Sequence, residues 1–237
     1  MVSVPATAIA LAGSFTATFS ASGLAEGATT LTASTAAGSV DTPVTVVPGG
    51  TGGFVINEVD YDQVGTDNAE WCELYNGTGR ALDLNGFSLI LVNGGTNPPS
   101  IYRTLNLSVA GSLGADQYLV VGADSVQASL PPETLFISLG SGSDYIQNGA
   151  PDGLALVDTN AGILVDALSY EGSITAVAIP GVGTVSLVEG SPASGADSNT
   201  AVSSIARIPD HADTDNAAAD WRFVNTPTPG APNAAGR

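Results

Sequence analysis

Carboxylates concentrate in two segments of this sequence: Glu58, Asp60, Asp62, Asp67 and Glu70 in one, and Asp210, Asp213, Asp215 and Asp220 in the other. Hard oxygen ligands at close spacing suit Ca²⁺, which takes about six to eight of them, backbone carbonyls and Asn included. Asp60, Asp62, Asp210, Asp213, Asp215 and Asp220 are therefore the candidate calcium ligands. Asp213-Thr214-Asp215-Asn216 opens like a helix–loop–helix calcium loop, then departs from it, with no Gly at the sixth position and Val224 at the twelfth. The competing reading is that acidic loops keep an extracellular or high-salt protein soluble. Pairs such as Asp60 and Asp62 are near neighbours on one strand and show no separation across a cleft, which a glycosidase requires.

Other chemistries lack their residues. With one cysteine, Cys72, and one histidine, His211, the chain has neither zinc-ligand spacing nor an intramolecular disulfide. A Ser-His-Asp arrangement would have to use His211, and no Gly-x-Ser-x-Gly elbow occurs; His211 reads as a solvated loop residue in Asp210-His211-Ala212-Asp213. Gly49-Gly50-Thr51-Gly52-Gly53 lacks the Lys of a phosphate loop and reads as a linker. Catalysis would fall to carboxylates and hydroxyls alone.

The 237 residues comprise 43% hydrophobic and only 12% charged residues, with 29 Gly and 14 Pro, enough apolar content for a packed core. Sixteen Asp and seven Glu stand against five Arg and no Lys, a net charge of −18. That balance excludes a binder of phosphate backbones and disfavours an anionic membrane surface. No apolar run is long enough to cross a membrane as a helix. The apolar stretch Ala8-Ile9-Ala10-Leu11-Ala12 resembles a secretion signal, but no positive residue precedes it, since the first Arg is Arg80.

The elements that must position these residues are strands. Period-2 alternation with turn residues at regular intervals runs through the chain, as in a sandwich. Residues 13–20, 29–34 and 40–47 form three such runs, with turns at Glu26-Gly27 and Ala37-Gly38 and Pro43 marking a strand start or a sheet edge. Residues 49–53 form a Gly-rich linker. More apolar strands follow at 54–59, 71–75, 87–92, 104–109, 117–121, 134–139, 154–157, 163–170 and 185–188. A hairpin loop spans Asp158–Gly162, and one or two helical turns fit 123–130. Two long loops, 190–203 and 209–219, carry Asp, Asn and Ser, and Pro227–Pro232 should terminate the fold. Glu58 shares strand parity with Ile56, so either a bulge redirects its carboxylate or Arg207 or Arg222 pairs with it. Trp71, Tyr75, Trp221 and Phe223 read as packing residues rather than sugar platforms.

Three stretches carry a specific pattern. The first is Ile56-Asn57-Glu58-Val59 followed by Gly65 through Asn76, with Ala69-Glu70-Trp71-Cys72-Glu73-Leu74 at its heart, and then Leu82-Asp83-Leu84-Asn85-Gly86-Phe87. Gln147 through Gly153 with Val165 through Tyr170 is the second. The third is Ile205–Asp210, Asp213–Asn216, Ala219-Asp220-Trp221 and Pro227–Asn233. Together they resemble the bacterial lamin tail domain over most of 54–233. The first 48 residues resemble the C-terminal part of a bacterial immunoglobulin-like repeat. The resemblance implies an all-β, immunoglobulin-like β-sandwich, found in secreted or surface-attached multidomain proteins, with no catalytic residues to carry over. Nuclear lamin tails contact nucleic acid; this chain, with five Arg and no Lys, departs from them.

The expected organisation is a partial repeat over 1–48, a linker over 49–53, a lamin-tail-like sandwich over 54–233 and a tail over 234–237. A chain that begins within a repeat leaves an unpaired edge, a route to self-association. The leading functional expectation is a non-catalytic extracellular or cell-surface module for spacing, adhesion or assembly, whose partners are other protein chains or surface polymers. The alternatives are a calcium-dependent ligand binder using exposed Trp221 and Tyr102, and the accessory part of a secreted nuclease or phosphatase whose catalytic domain lies elsewhere. Asn76-Gly77-Thr78 and Asn106-Leu107-Ser108 match the glycosylation sequon by chance under the bacterial reading.

Overall fold

Short runs of Val, Ile, Leu, Thr and aromatic residues between Gly, Asn, Asp and Pro favour strands over helices. A computed structural model describes residues 53–234 and, upstream of them, 2–3, 22–23, 27–35 and 38–46. The chain divides into two compact units, Met1–Gly49 and Gly50–Arg237.

In the first unit, β1 (Val2–Ser3) pairs antiparallel with β2 (Ser22–Gly23). The nine-residue strands β3 (Gly27–Thr35) and β4 (Gly38–Val46) form a hairpin in continuous register from Gly27↔Val46 to Thr35↔Gly38. Pro43 sits within β4, opposite Thr30, rather than at its start. A strand with one neighbour tolerates the missing donor on its open side. The expected strand at 13–20, the residues Glu26 and Ala37, and the linker apart from Gly53 lie outside the described residues, as does the tail after residue 234.

The second unit runs through β5 (Phe54–Asp60), β6 (Trp71–Asn76), β7 (Leu82–Asp83), β8 (Phe87–Asn93), β9 (Ser100–Asn106), β10 (Ser112–Leu113), β11 (Tyr118–Ala123), α1 (Asp124–Gln127), β12 (Leu135–Gly140), β13 (Asp152–Asp158), β14 (Ile163–Tyr170), β15 (Val177–Ile179), β16 (Gly183–Val185), β17 (Ser204–Arg207), α2 (Ala217–Asp220) and β18 (Trp221–Val224). One sheet has the order β12-β11-β6-β5-β17-β18, the other β14-β13-β8-β9. Only β11 and β12 among these neighbours run parallel, and a crossover carrying α1 joins them, as parallel strands require. The two sheets bury a common core: Ile56, Val59, Cys72, Leu74, Val121 and Ile205 from the first, Leu89, Leu91, Leu154, Leu156 and Leu168 from the second. This is an immunoglobulin-like β-sandwich, as expected.

The strands at its centre are less alternating than the sequence pattern suggests. On the far face of the second sheet, Ile90, Val92, Ala155 and Val157 pack under Ile174, Val177, Ile179 and Leu187 from the segment around the β15–β16 hairpin. That covering layer is why Leu89-Ile90-Leu91-Val92 is apolar throughout. Residues Ser100–Asn106 form β9, whereas 104–109 was the expectation. Asn106 ends the strand by accepting from the Ser108 amide and capping a 3₁₀ turn over Leu107–Ala110. The expected strand at 185–188 is instead the end of β16. β17 and β18 were not expected as strands; Ser204 and Arg207 find buried polar partners, and Trp221 joins the hydrophobic core.

A bulge decides the fate of Glu58. Ile56 lies opposite Leu74 and Glu58 opposite Glu73, leaving Asn57 unpaired between them. Ile56 and Val59 thus both reach the core. Glu58 accepts hydrogen bonds from the Ser204 hydroxyl and from the Thr228 amide and hydroxyl, and neither Arg207 nor Arg222 pairs with it.

Candidate functional site

The polar residues that could do chemistry gather in three places. The first lies between the sheets. Ile205 and Arg207 alternate with Ser204 and Ala206 along β17; Ile205 is in the core, and Arg207 follows it inward, fully buried. Its Nη2 lies 2.8 Å from Asp166 Oδ1 on β14 of the opposite sheet and 3.5 Å from Glu189 Oε2. Its Nη1 lies 3.2 Å from Asp213 Oδ1 and 3.3 Å from Asp220 Oδ2 and donates to the Ala212 carbonyl. Its Nε donates to the Ile56 carbonyl, and its guanidinium sits 5.1 Å from the centre of the Trp221 ring. One permanently charged group thus serves four carboxylates. Burial and then the neighbouring Asp166 raise Glu189 to about 9, so it keeps its proton at neutral pH and the site carries less charge than its formula suggests.

The second place is the outer face of the first sheet. Glu58 and Glu73 are both fully buried there, under the chain after β18. Gly230 donates its amide to Glu73 Oε2 at 2.6 Å, and Asn233 donates to the Asn57 and Arg207 carbonyls. Gly230 has φ +81°, and a Cβ there would collide with Thr134. Beside them, Asp210 accepts from Asn57 Nδ2, Tyr118 Oη and His211 Nδ1 at 2.9, 2.9 and 3.2 Å. His211 is not the solvated loop residue expected. Its ring stacks on Tyr75 at 4.4 Å, and its amide donates to Asn57 Oδ1. Next to this group, Asp116, Tyr118, Pro131, Glu133, Gly230 and Pro232 line a cavity of about 220 Å³.

The third place is one end of the sandwich. Asp60 accepts from Trp71 Nε1 at 3.2 Å and from Gln63 Nε2. Burial, then the Asp197 carboxyl beside it, lifts Asp60 to about 9. Asp197 accepts from the Tyr61, Asp62 and Ser198 amides and the Ser203 hydroxyl. Asp62 and Asp67 flank Asn148 Nδ2, each at 3.3 Å.

The six candidate calcium ligands are therefore divided. Asp213 and Asp220 face Arg207. Asp215 is exposed and donates its amide to Asp213. Asp210 belongs to the outer face, and Asp60 and Asp62 belong to the end of the sandwich. Among the described residues, the acidic side chains whose oxygens converge within 4.8 Å are Asp166, Glu189 and Asp213, of which only Asp213 was expected. The guanidinium of Arg207 contacts all three, in the position a cation would take. We expect EDTA followed by excess CaCl₂ to leave the thermal midpoint unchanged. A rise of several degrees with Ca²⁺ but not Mg²⁺, the size saturating binding produces, would show that the folded chain holds the ion.

Sequence reasoning missed Arg207, Asp166 and Glu189 as one group, because they lie on separate segments and only pairing across the sandwich brings them together. Trp221 is fully buried, and the half-buried Tyr102 accepts the Gln147 amide, so this pair offers no exposed aromatic platform. Asn76 is also buried, its amide nitrogen donating to the Arg80, Leu113 and Gly114 carbonyls; it is not a glycan acceptor.

Comparison with known proteins agrees with this architecture. The family model of the Lamin Tail Domain matches residues 48–172, from just before β5 to just after β14. No curated protein matches the chain. Arg207 and the strands β17 and β18 lie beyond the matched stretch, yet they complete the first sheet alongside β5. With more than half its length matched and the sandwich complete, the chain belongs to the Lamin Tail Domain family, a family of immunoglobulin-like, non-enzymatic domains.

Proposed function

We propose that this domain is a non-catalytic module of a bacterial secreted or cell-surface protein, holding other chains or surface polymers for spacing, adhesion or assembly. The observation that supports this most is how the reactive residue types are used. Arg207, Asp166, Asp220, Glu58 and Glu73 are buried and bonded to the chain's own groups, joining sheet to sheet and sheet to C-terminal segment. Carboxylates used in this way position strands; they do not face a substrate. What remains for partners is the exterior: acidic loops and sheet edges, on a chain of net charge −18. An antibody raised against the second unit should label intact source cells, and protease treatment of those cells should remove the signal. Labelling only after permeabilisation would overturn the extracellular assignment.

A further inference from the structure

The cavity between the loop before β12 and the segment after β18 has a composition that selects for one kind of occupant. Its lining joins the aromatic Tyr118 and the apolar Pro131 and Pro232 to two acidic residues, Asp116 and Glu133, with no basic residue among them. At about 220 Å³ it is smaller than the sites of drug-sized ligands and suits a single side chain. We propose that it receives the arginine side chain of a basic partner segment, the guanidinium lying on Tyr118 between Asp116 and Glu133.

The site is held in shape from beneath. The Tyr118 hydroxyl donates to Asp210 Oδ2 at 2.9 Å, and its ring lies 4.9 Å from that of Tyr75, which in turn stacks on His211. Tyr75 donates to Asp116 Oδ1 at 3.0 Å, fixing that carboxylate at a residue with φ +56°. Gly230 forms part of the lining and is anchored by Glu73. The ring is thus presented in a fixed orientation and needs little reordering to bind. A planar cation on a tyrosine face gains from the ring quadrupole, and a guanidinium can donate to two carboxylates at once, which an ammonium does less well. The surroundings are strongly anionic. Burial, then the hydrogen bond to Asp116, raises Tyr75 to about 12, and burial with Asp210 raises Tyr118 further.

This inference deepens the partner-binding reading above and rests on it. The test is NMR titration of the whole chain with the peptide acetyl-Gly-Arg-Gly-amide, with its Lys counterpart alongside. Saturable shifts are expected at the amides of Tyr118, Thr134 and Gly230, with weaker binding of the Lys peptide. Asp116→Asn, whose amide oxygen still accepts from Tyr75, should raise the dissociation constant about fivefold to tenfold, roughly the effect of exchanging a charge-assisted hydrogen bond for a neutral one. Asp144→Asn changes net charge equally at the opposite end of β11 and should leave binding unchanged. Absence of saturable shifts, equal weakening by both variants or equal binding of the Lys peptide would each overturn the proposal. Because the titration uses isolated protein, its outcome is independent of where antibody finds the domain on cells.

Discussion

Replacing Arg207 by Met should lower stability by about 3–5 kcal/mol at pH 8, a fall in midpoint on the order of 10 °C for a domain of this size. Much of that loss should be recovered at pH 5. Arg207 is fully buried and within 3.5 Å of carboxylates on four residues, two of them, Asp166 and Asp220, as buried as itself. Methionine fills much of the stem's volume but leaves those carboxylates without a cation in a poorly solvated interior, where an unpaired charge is expensive. They can relieve the cost by binding protons. Glu189 already holds one at neutral pH, and Asp166, raised by burial but held down by the Coulombic attraction of Arg207, would take another. Acid therefore favours the variant. The measurement is calorimetric unfolding of parent and variant at both pH values. An equal deficit at pH 5 and pH 8 would mean that Arg207 acts through its packing on Trp221 rather than through its charge.

The parent chain should itself become more stable as pH falls from about 9 to about 5, the reverse of ordinary acid denaturation. Burial is the leading cause of raised carboxyl pKa values at Glu58, Glu70 and Asp152, each to about 7, and at Asp60 and Glu189, each to about 9. Opposing hydrogen bonds, from Ser204 and Thr228 at Glu58 and from the Tyr145 and Ile146 amides at Glu70, limit the rise without cancelling it. In the unfolded chain the same groups titrate near 4. Between those values the folded state binds more protons than the unfolded one. Their contribution is complete below the unfolded pKa and is lost as pH rises through 7 and then 9. Each group contributes a slope of about 1.4 kcal/mol per pH unit while it titrates in one state only. Shedding part of the net charge of −18 acts in the same direction. Midpoints across pH 4.5–9 should therefore decline toward alkali, and Glu58→Gln, which keeps an acceptor for Thr228, should flatten the profile between about pH 4.5 and 7. A flat profile, or one rising with pH, would show that these carboxyls are solvated in solution.

Much of the architecture was legible because it follows from local pattern. Trp71-Cys72-Glu73-Leu74-Tyr75 alternates, and the core does take Cys72 and Leu74 while Trp71 packs on the other side with Val120 and Val126. The Asp158–Gly162 loop makes the expected hairpin between β13 and β14. The short helical segment after Gly122 appears as α1. What local pattern leaves open has a common cause. Ser204-Ile205-Ala206-Arg207 lies between the two expected loops and was not expected as a strand; it becomes an inner strand, with Asp166 and Glu58 bonding its charge and its hydroxyl on opposite faces. Spacing along the chain groups the six candidate calcium ligands, whereas the fold distributes them between the Arg207 cluster, the outer face and the end of the sandwich.

Composition and periodicity alone determined the all-β class and the strongly acidic charge balance, since each depends on residue counts or on neighbours a few positions apart. The bulge at Asn57, the meeting of Arg207 with four carboxylates from three segments, the sealing of Glu58 and Glu73 by the C-terminal segment and the cavity beside Tyr118 were decided only in three dimensions. They include contacts more than a hundred positions apart, such as that of Glu58 with Thr228. Whether a carboxylate in this chain meets a proton, a guanidinium or water depends on the sheet that packs over it, a partner that local sequence does not specify.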